Sequence, residues 1–323
     1  MQNHKRLFPI IILVLLLALP AFAQKMGTSV SLWSDRGGPA SLDLLNGPGG
    51  KEHQPGNSFK FIKEAKGGTS PKFEVEDENG ARWKVKLGHE VKSETAATRL
   101  VWAAGYNADE DYYRAQIQVQ GMKPLSRGQE YVSKDGVVRG ARLERQGSEG
   151  KSSTWSWYKN PFVGTREFNG LRVMVALINN WDLKEDNNDS YGAGNVGGRY
   201  VISDLGASFG RTGNSFVRSR GVMKDYVETR FVKKVTAKDV DFVMHSRPFF
   251  LTIFNFPYYR TRTRMESIAK RIPIADARWI GNQLGQLSAE QIRDCFRSAS
   301  FSPDEVEGYT RIVMQRIEEL KKL

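Results

Sequence analysis

The sequence predicts an α+β fold in which a strand-rich first half is followed by a helix-rich second half. Two observations predict it. Between residues 59 and 157 the chain carries short runs of alternating apolar and polar residues separated by glycine-containing turns. Beyond residue 158 apolar residues recur at three- and four-residue spacing, and two capping boxes mark helix starts. The boundary falls between residues 145 and 168, and a cleft between two such lobes is a natural ligand site.

The first 23 residues read as an export signal. Lys5 and Arg6 form a positive start, Leu7 to Leu19 is an apolar run broken only by Pro9, and Ala21-Phe22-Ala23 supplies a small-x-small cleavage pattern before Gln24. The run is shorter than the roughly 20 residues a membrane span needs. No cysteine lies nearby for a lipid anchor, so a periplasmic or extracellular protein is expected, with no transmembrane helix after cleavage. Cleavage leaves 300 of 323 residues and lowers the formal charge from +12 to +10. Such a balance favours anionic envelope polymers, phospholipid head groups or acidic substrates as partners. Nucleic acid is disfavoured, because no RNP, zinc-finger or helix-turn-helix pattern accompanies the charge. Cys295 is the single cysteine, so no intramolecular disulfide forms. Its helical spacing with Ile292, Phe296 and Ala299 predicts a buried small hydrophobe, with a free reactive thiol as the minor alternative.

Residues 24–58, rich in Gly, Pro, Ser and Asn, read as an irregular lead-in segment outside the core. Phe59-Lys60-Phe61-Ile62, Lys72-Phe73-Glu74-Val75-Glu76 and Arg82-Trp83-Lys84-Val85-Lys86-Leu87 read as three antiparallel strands. Turns at Lys66-Gly67-Gly68-Thr69 and Glu78-Asn79-Gly80 separate them. Ser93 is positioned to cap a helix with apolar Ala97, Leu100, Val101 and Ala104, ended by Gly105. A strand-rich stretch runs on to Trp157. Leu171, Met174, Val175 and Ile178 then form a helical stripe that stops at Asn179-Asn180. Ser288-x-x-Gln291 and Ser302-Pro303-x-Glu305 open the last two helices, with Val306, Tyr309, Val313, Ile317 and Leu320 inward in the final one.

The most informative segment is Asn180-Trp181-Asp182-Leu183-Lys184-Glu185-Asp186-Asn187, which follows an amphipathic helix. After a Gly-rich loop and the β-like run Tyr200-Val201-Ile202 comes Ser203-Asp204-Leu205-Gly206. Upstream, Lys84 and Lys86 share one face of a strand because strand side chains alternate. This order resembles the protein-kinase-like superfamily, whose catalytic loop reads H-R-D-L-K-x-x-N and whose metal loop reads D-F-G. No G-x-G-x-x-G lies in the N-terminal sheet and no A-P-E follows Asp204, so the similarity is to branches with reduced loops, such as lipid kinases and toxin serine kinases. The whole chain resembles exported bacterial members of this kind.

The resemblance implies a two-lobed kinase-like fold, with a mainly β N-lobe over residues 59–157 and a mainly α C-lobe over 158–323. It implies that Asp182 orients an attacking hydroxyl and that Lys184 offsets charge on the phosphoryl group. Asn187 and Asp204 would hold Mg2+ or Mn2+. Lys86 would contact the phosphates of ATP or another nucleotide, with Glu94 as its ion-pair partner and the Gly67-Gly68 hairpin as cover. The expected activity is phosphoryl transfer to a hydroxyl of a protein, lipid or sugar. The alternative is an inactive pseudokinase acting as an envelope binding module.

Other patterns carry less. Gly192-Ala193-Gly194-Asn195-Val196-Gly197 matches a dinucleotide fingerprint, but no strand precedes it and no helix follows, so it reads as a loop. Asp186-Asn187-Asn188-Asp189 has the glycine and distal glutamate of a calcium loop misplaced. His53, His89 and His245 are too scattered for a usual zinc site. Tyr258-Tyr259-Arg260-Thr261-Arg262-Thr263-Arg264 reads as a solvated surface loop, with an anionic partner as the alternative.

Overall fold

The computed structural model describes residues 30–147, 151–192, 198–213, 216–244 and 251–323. The expected signal at 1–23 and positions 193–197 of the Gly-rich run lie outside the described residues. The protein is a mixed α+β structure with a β-rich N-terminal lobe and a helical C-terminal lobe.

Five strands close the N-terminal barrel: β1 (Ser58–Ala65), β2 (Lys72–Asp77), β3 (Arg82–Lys86), β4 (Asp111–Gln120) and β5 (Val137–Arg145), in the order β1-β2-β3-β5-β4. Alternation sends Phe73, Val75, Trp83, Val85 and Leu143 inward, where they are buried together. Lys72, Lys84, Lys86, Arg142 and Glu144 consequently share the outer face. Register places Lys86 between Lys72 and Arg142, and Lys84 opposite Glu144. Gly80 closes the β2–β3 turn at φ 78°, where a side chain would be strained.

Helix α1 (Val91–Ala103) follows β3. Its N-cap is Glu90, not Ser93, so the expected cap is the third residue of the helix. The Ser93 hydroxyl donates instead to the carbonyls of Glu90 and Gly206. Docking of the first helical turn on residues 205–207 sets this start, overriding the local capping preference.

The second core gathers α1 with α2 (Arg166–Leu177), α3 (Met223–Glu228), α5 (Phe256–Ser267), α6 (Ile274–Leu284), α7 (Ala289–Arg297) and α8 (Pro303–Lys321), while the short α4 (Leu251–Phe254) leaves Ile253 and Phe254 exposed. Two small sheets lie beside them. One joins β6 (Lys151–Thr154), β7 (Asn188–Tyr191) and β8 (Arg199–Ile202); the other joins β9 (Val232–Val235), β10 (Asp239–Phe242) and β11 (Ile272–Pro273). Both expected capping boxes form, at Ser288 with Gln291 and at Ser302 with Glu305. Val306, Tyr309, Val313, Ile317 and Leu320 are buried along α8.

Three further segments depart from their sequence reading. Strand β7 ends at Tyr191, so a strand does lie directly before the Gly-rich run, because Asn188–Tyr191 pairs with Arg199–Ile202. The lead-in is irregular in backbone, yet Leu32 and Leu44 are buried in the second core and the Trp33 indole donates to the Ala104 carbonyl at 2.8 Å. Residues 258–264 belong to α5 instead of a loop, because the Asn255 side chain caps its start and Arg262 turns inward to the Gly213 carbonyl at 2.7 Å. Among the described residues no helix is long and apolar enough to cross a membrane.

Cys295 is fully buried on α7, and burial pushes its thiol up to about 12. Since the thiolate is the reactive form, Ellman's reagent is expected to leave the native protein unlabelled and to titrate one thiol in guanidinium. Labelling in buffer would show that α7 is not packed as described.

Candidate active site

Lys86 leaves the end of β3 on the outer face and points toward α1. Its ammonium lies 2.7 Å from Glu94 Oε2, 2.7 Å from Asp204 Oδ1 and 3.0 Å from Glu90 Oε1. The side chain is only 3% exposed. Burial works against its charge, but Glu94, Asp204 and Glu90 together outweigh that and raise the ammonium pKa. The same cation pulls Asp204 and Glu90 below the usual carboxylate range, against burial. Burial raises the Glu94 carboxyl, with Arg142 and Lys86 opposing.

A second buried cation supports the first. The Arg142 guanidinium reaches Asp111 Oδ2 at 2.7 Å, Glu144 Oε2 at 2.9 Å, Asp109 Oδ2 at 3.4 Å and Glu94 Oε1 at 3.5 Å. Arg99 of α1 binds the other oxygen of Asp111 at 2.8 Å. Buried charges survive only when partnered in this way. Burial pushes the Asp109 carboxyl up to about 8, with Glu144 adding to the shift and Arg142 opposing it.

The loop after α2 supplies the other half. Asn179 turns the chain at φ 55°, and its amide donates to the Gly210 carbonyl at 2.7 Å. The backbone N–H of Asp182 then donates to the Asn180 side chain at 3.0 Å, while Lys184 Nζ lies 3.0 Å from Asp182 Oδ2. Five residues on, the Asn187 amide donates to the Asp182 carbonyl at 2.8 Å, which closes the loop on itself.

Two backbone bonds stitch this loop to Asp204. Ser203 N–H donates to the Asn187 carbonyl at 3.0 Å, and Trp181 N–H donates to the Ala207 carbonyl at 3.4 Å. The first follows from pairing of Asn188 with Ile202 in the β7–β8 hairpin. Asp204 sits at φ 52°, ψ 52°, a conformation that costs a non-glycine residue about 1 kcal/mol. Its bond to Lys86 helps hold it there. Gly206 packs so closely on Glu90 that an added Cβ would lie 2.8 Å from the Glu90 Cβ.

The structure thus brings Lys86, Glu94 and Asp204 into direct contact and places Asp182, Lys184 and Asn187 in a second group joined to them on either side of Asp204. Sequence reasoning missed Glu90, Arg142 and Lys72. Glu90 is four residues after Lys86, a visible signal, but Arg142 and Lys72 arrive only through strand register. Burial and then the Lys86 charge lower the Lys72 ammonium pKa, consistent with its place beside the cluster. The loop 66–71 is fastened by Arg127, which donates to the carbonyls of Gly68, Thr69 and Lys66. Beyond Lys84 and its partner Glu144 lies a cavity of about 900 Å3, with Asp109, Lys151 and Asp189 among its walls.

The fold and site define a two-lobed protein with a lysine–carboxylate cluster between its lobes. No protein-family model matches this chain, and no curated protein sequence matches it. Among solved structures it is similar to the Helicobacter pylori proinflammatory kinase CtkA, with 13% identity over 83% of this chain and 95% of that chain and a TM-score of 0.46. It is also similar to the Golgi casein kinase with Mn/ADP bound, with 11% identity, 83% and 72% coverage and a TM-score of 0.42. The amicoumacin kinase hAmiN, in complex with AMP-PNP and Ca2+, matches at 10% identity, 81% and 88% coverage and a TM-score of 0.25.

Proposed function

We propose that this chain is an exported kinase-like phosphotransferase that moves a phosphoryl group from a nucleotide to a hydroxyl acceptor. The observation that carries the reading is the Lys86 ammonium held at 2.7 Å from both Glu94 and Asp204, with Asn187 and Asp182 tied to the flanks of Asp204. Phosphoryl transfer asks a protein for little beyond positioning and charge, and these residues can supply both.

The donor set fits a hard divalent cation. Asp204 keeps a carboxylate 38% exposed toward the cleft, and Asn187 commits its amide nitrogen to Asp182, leaving its amide oxygen as a donor. Among the described residues no three His, Cys, Asp or Glu side chains form a self-sufficient metal cage. One or two protein oxygens of this kind suit Mg2+ or Mn2+ shared with the phosphates of a ligand. When bound, the cation would neutralise phosphate charge. Lys86 would contact the phosphates, Asp182 would accept a hydrogen bond from the acceptor hydroxyl, and Lys184, 3.0 Å from Asp182, would face the transferred group. The cavity beyond Lys84 and Glu144 is of a size to take a nucleoside.

The pseudokinase reading draws on the same ion pairs, because Lys86 occupies one oxygen of Asp204 and Lys184 one oxygen of Asp182. Thermal-shift measurements on residues 24–323 separate the outcomes. ATP with Mn2+ near saturation is expected to raise the melting temperature by about 3 °C or more, and Asp204→Ala is expected to abolish the rise. If neither nucleotide nor metal moves the wild-type transition, the reading fails. A shift without transfer of radiolabelled phosphate to any acceptor in extract would favour the binding module.

A further inference from the structure

Glu90 has no part in the mechanism above, yet its carboxylate faces three separate pieces of the cleft. One oxygen lies 3.0 Å from Lys86 and also accepts from the Ser70 hydroxyl in the β1–β2 loop. The other accepts from Arg220, in the segment after Asp204. Arg218 and Arg220 of that segment stack over the Trp181 ring, 4.0 and 5.1 Å from its centroid, and the Trp181 indole donates to the Ser219 carbonyl at 2.8 Å. Trp181 is the residue before Asp182. The Glu90 side chain is 9% exposed and rests against Gly206.

From this we infer that Glu90 is a positioning residue for phosphoryl transfer, acting through Lys86 and through the two segments that flank the cleft. The inference rests on the phosphotransferase reading. An Asp204 carboxylate that binds a cation shares its charge and weakens its hold on Lys86. Glu94 alone would then orient the ammonium while being drawn toward Arg142. Glu90 supplies the second anchor, so the ammonium keeps two fixed partners. Because the same carboxylate receives Ser70 and Arg220, it also sets how closely loop 66–71 and residues 216–221 approach the lysine.

Glu90→Gln keeps the shape and removes the charge; Glu90→Asp keeps the charge and shortens the reach. In the metal-free protein, hydrogen exchange at residues 66–71 and 216–221 is expected to quicken about tenfold in Glu90→Gln and less in Glu90→Asp, with the barrel strands unchanged. With Mn2+ and ATP, the transfer rate is expected to fall about 10- to 100-fold in Glu90→Gln, while nucleotide affinity changes less than about threefold. Arg220→Gln should reproduce the exchange effect at 216–221 only. Unchanged exchange in both segments, or a wild-type transfer rate in Glu90→Gln, overturns the inference. A wild-type protein that binds no nucleotide fails the phosphotransferase reading instead, and with it the positioning role of Glu90 in transfer, whatever the exchange experiment reports.

Discussion

Lys86→Met is expected to lose about 10²–10³-fold in phosphoryl transfer and to destabilise the fold by about 3–5 kcal/mol. The methionine fills similar space but leaves Glu90, Glu94 and Asp204 facing one another without their shared cation. The stability loss has a defined pH window. Asp204 and Glu90 have depressed pKa values in the folded protein, so their pairing with Lys86 stabilises it above the unfolded carboxylate range and is lost as pH falls through the folded values. Lys86 has a raised pKa, so its share is complete below the unfolded lysine value of about 10.4 and fades only in stronger alkali. Urea titrations should therefore separate wild type from Lys86→Met most widely between about pH 5 and 9, with the curves converging below about pH 4. A gap that stays constant down to pH 3 would mean that the ion pairs contribute nothing and that the methionine acts by packing.

The second large effect is expected at Arg142. Arg142→Leu removes the cation common to Glu94, Asp109, Asp111 and Glu144 and is expected to cost about 3–5 kcal/mol, or on the order of 10 °C in melting temperature. Arg142→Lys restores charge without the planar fork that meets several carboxylates at once, and should recover less than half of the loss. Calorimetry decides the matter. A melting temperature for Arg142→Leu within 2 °C of wild type would contradict the assignment of this network as a structural support. Because Glu94 depends on Arg142 for one oxygen, the variant that remains folded at low temperature should also position Lys86 poorly.

The parts of the site legible in the sequence are those set by local geometry. Alternation along Arg82–Lys86 puts Lys84 and Lys86 on the face opposite Trp83 and Val85, and the spacing from Asp182 to Asn187 permits the amide-to-carbonyl bond that closes the loop. Glu94 is visible as a carboxylate near the start of the next helix. Ser93 shows the limit of local reading. Its capping preference is real, but the hydroxyl finds a better use on Gly206, which is 113 residues away in the chain. The stretch 258–264 fails for a related reason, since its arginines look solvated until Arg262 is seen donating to the carbonyls of Trp181, beside Asp182, and of Gly213, in the segment after Asp204.

The α+β order, the helix starts at Ser288 and Ser302, and the outward lysines of β3 were determined by the sequence alone, because periodicity and capping act over a few residues. Which charges meet was decided by the tertiary structure. Lys72 and Arg142 reach the cluster through strand register, and Glu90 reaches Ser70 and Arg220 through the docking of α1 on residues 205–207. A buried ammonium shared among three carboxylates is stable only when all of its partners arrive together, and no local pattern records that arrival.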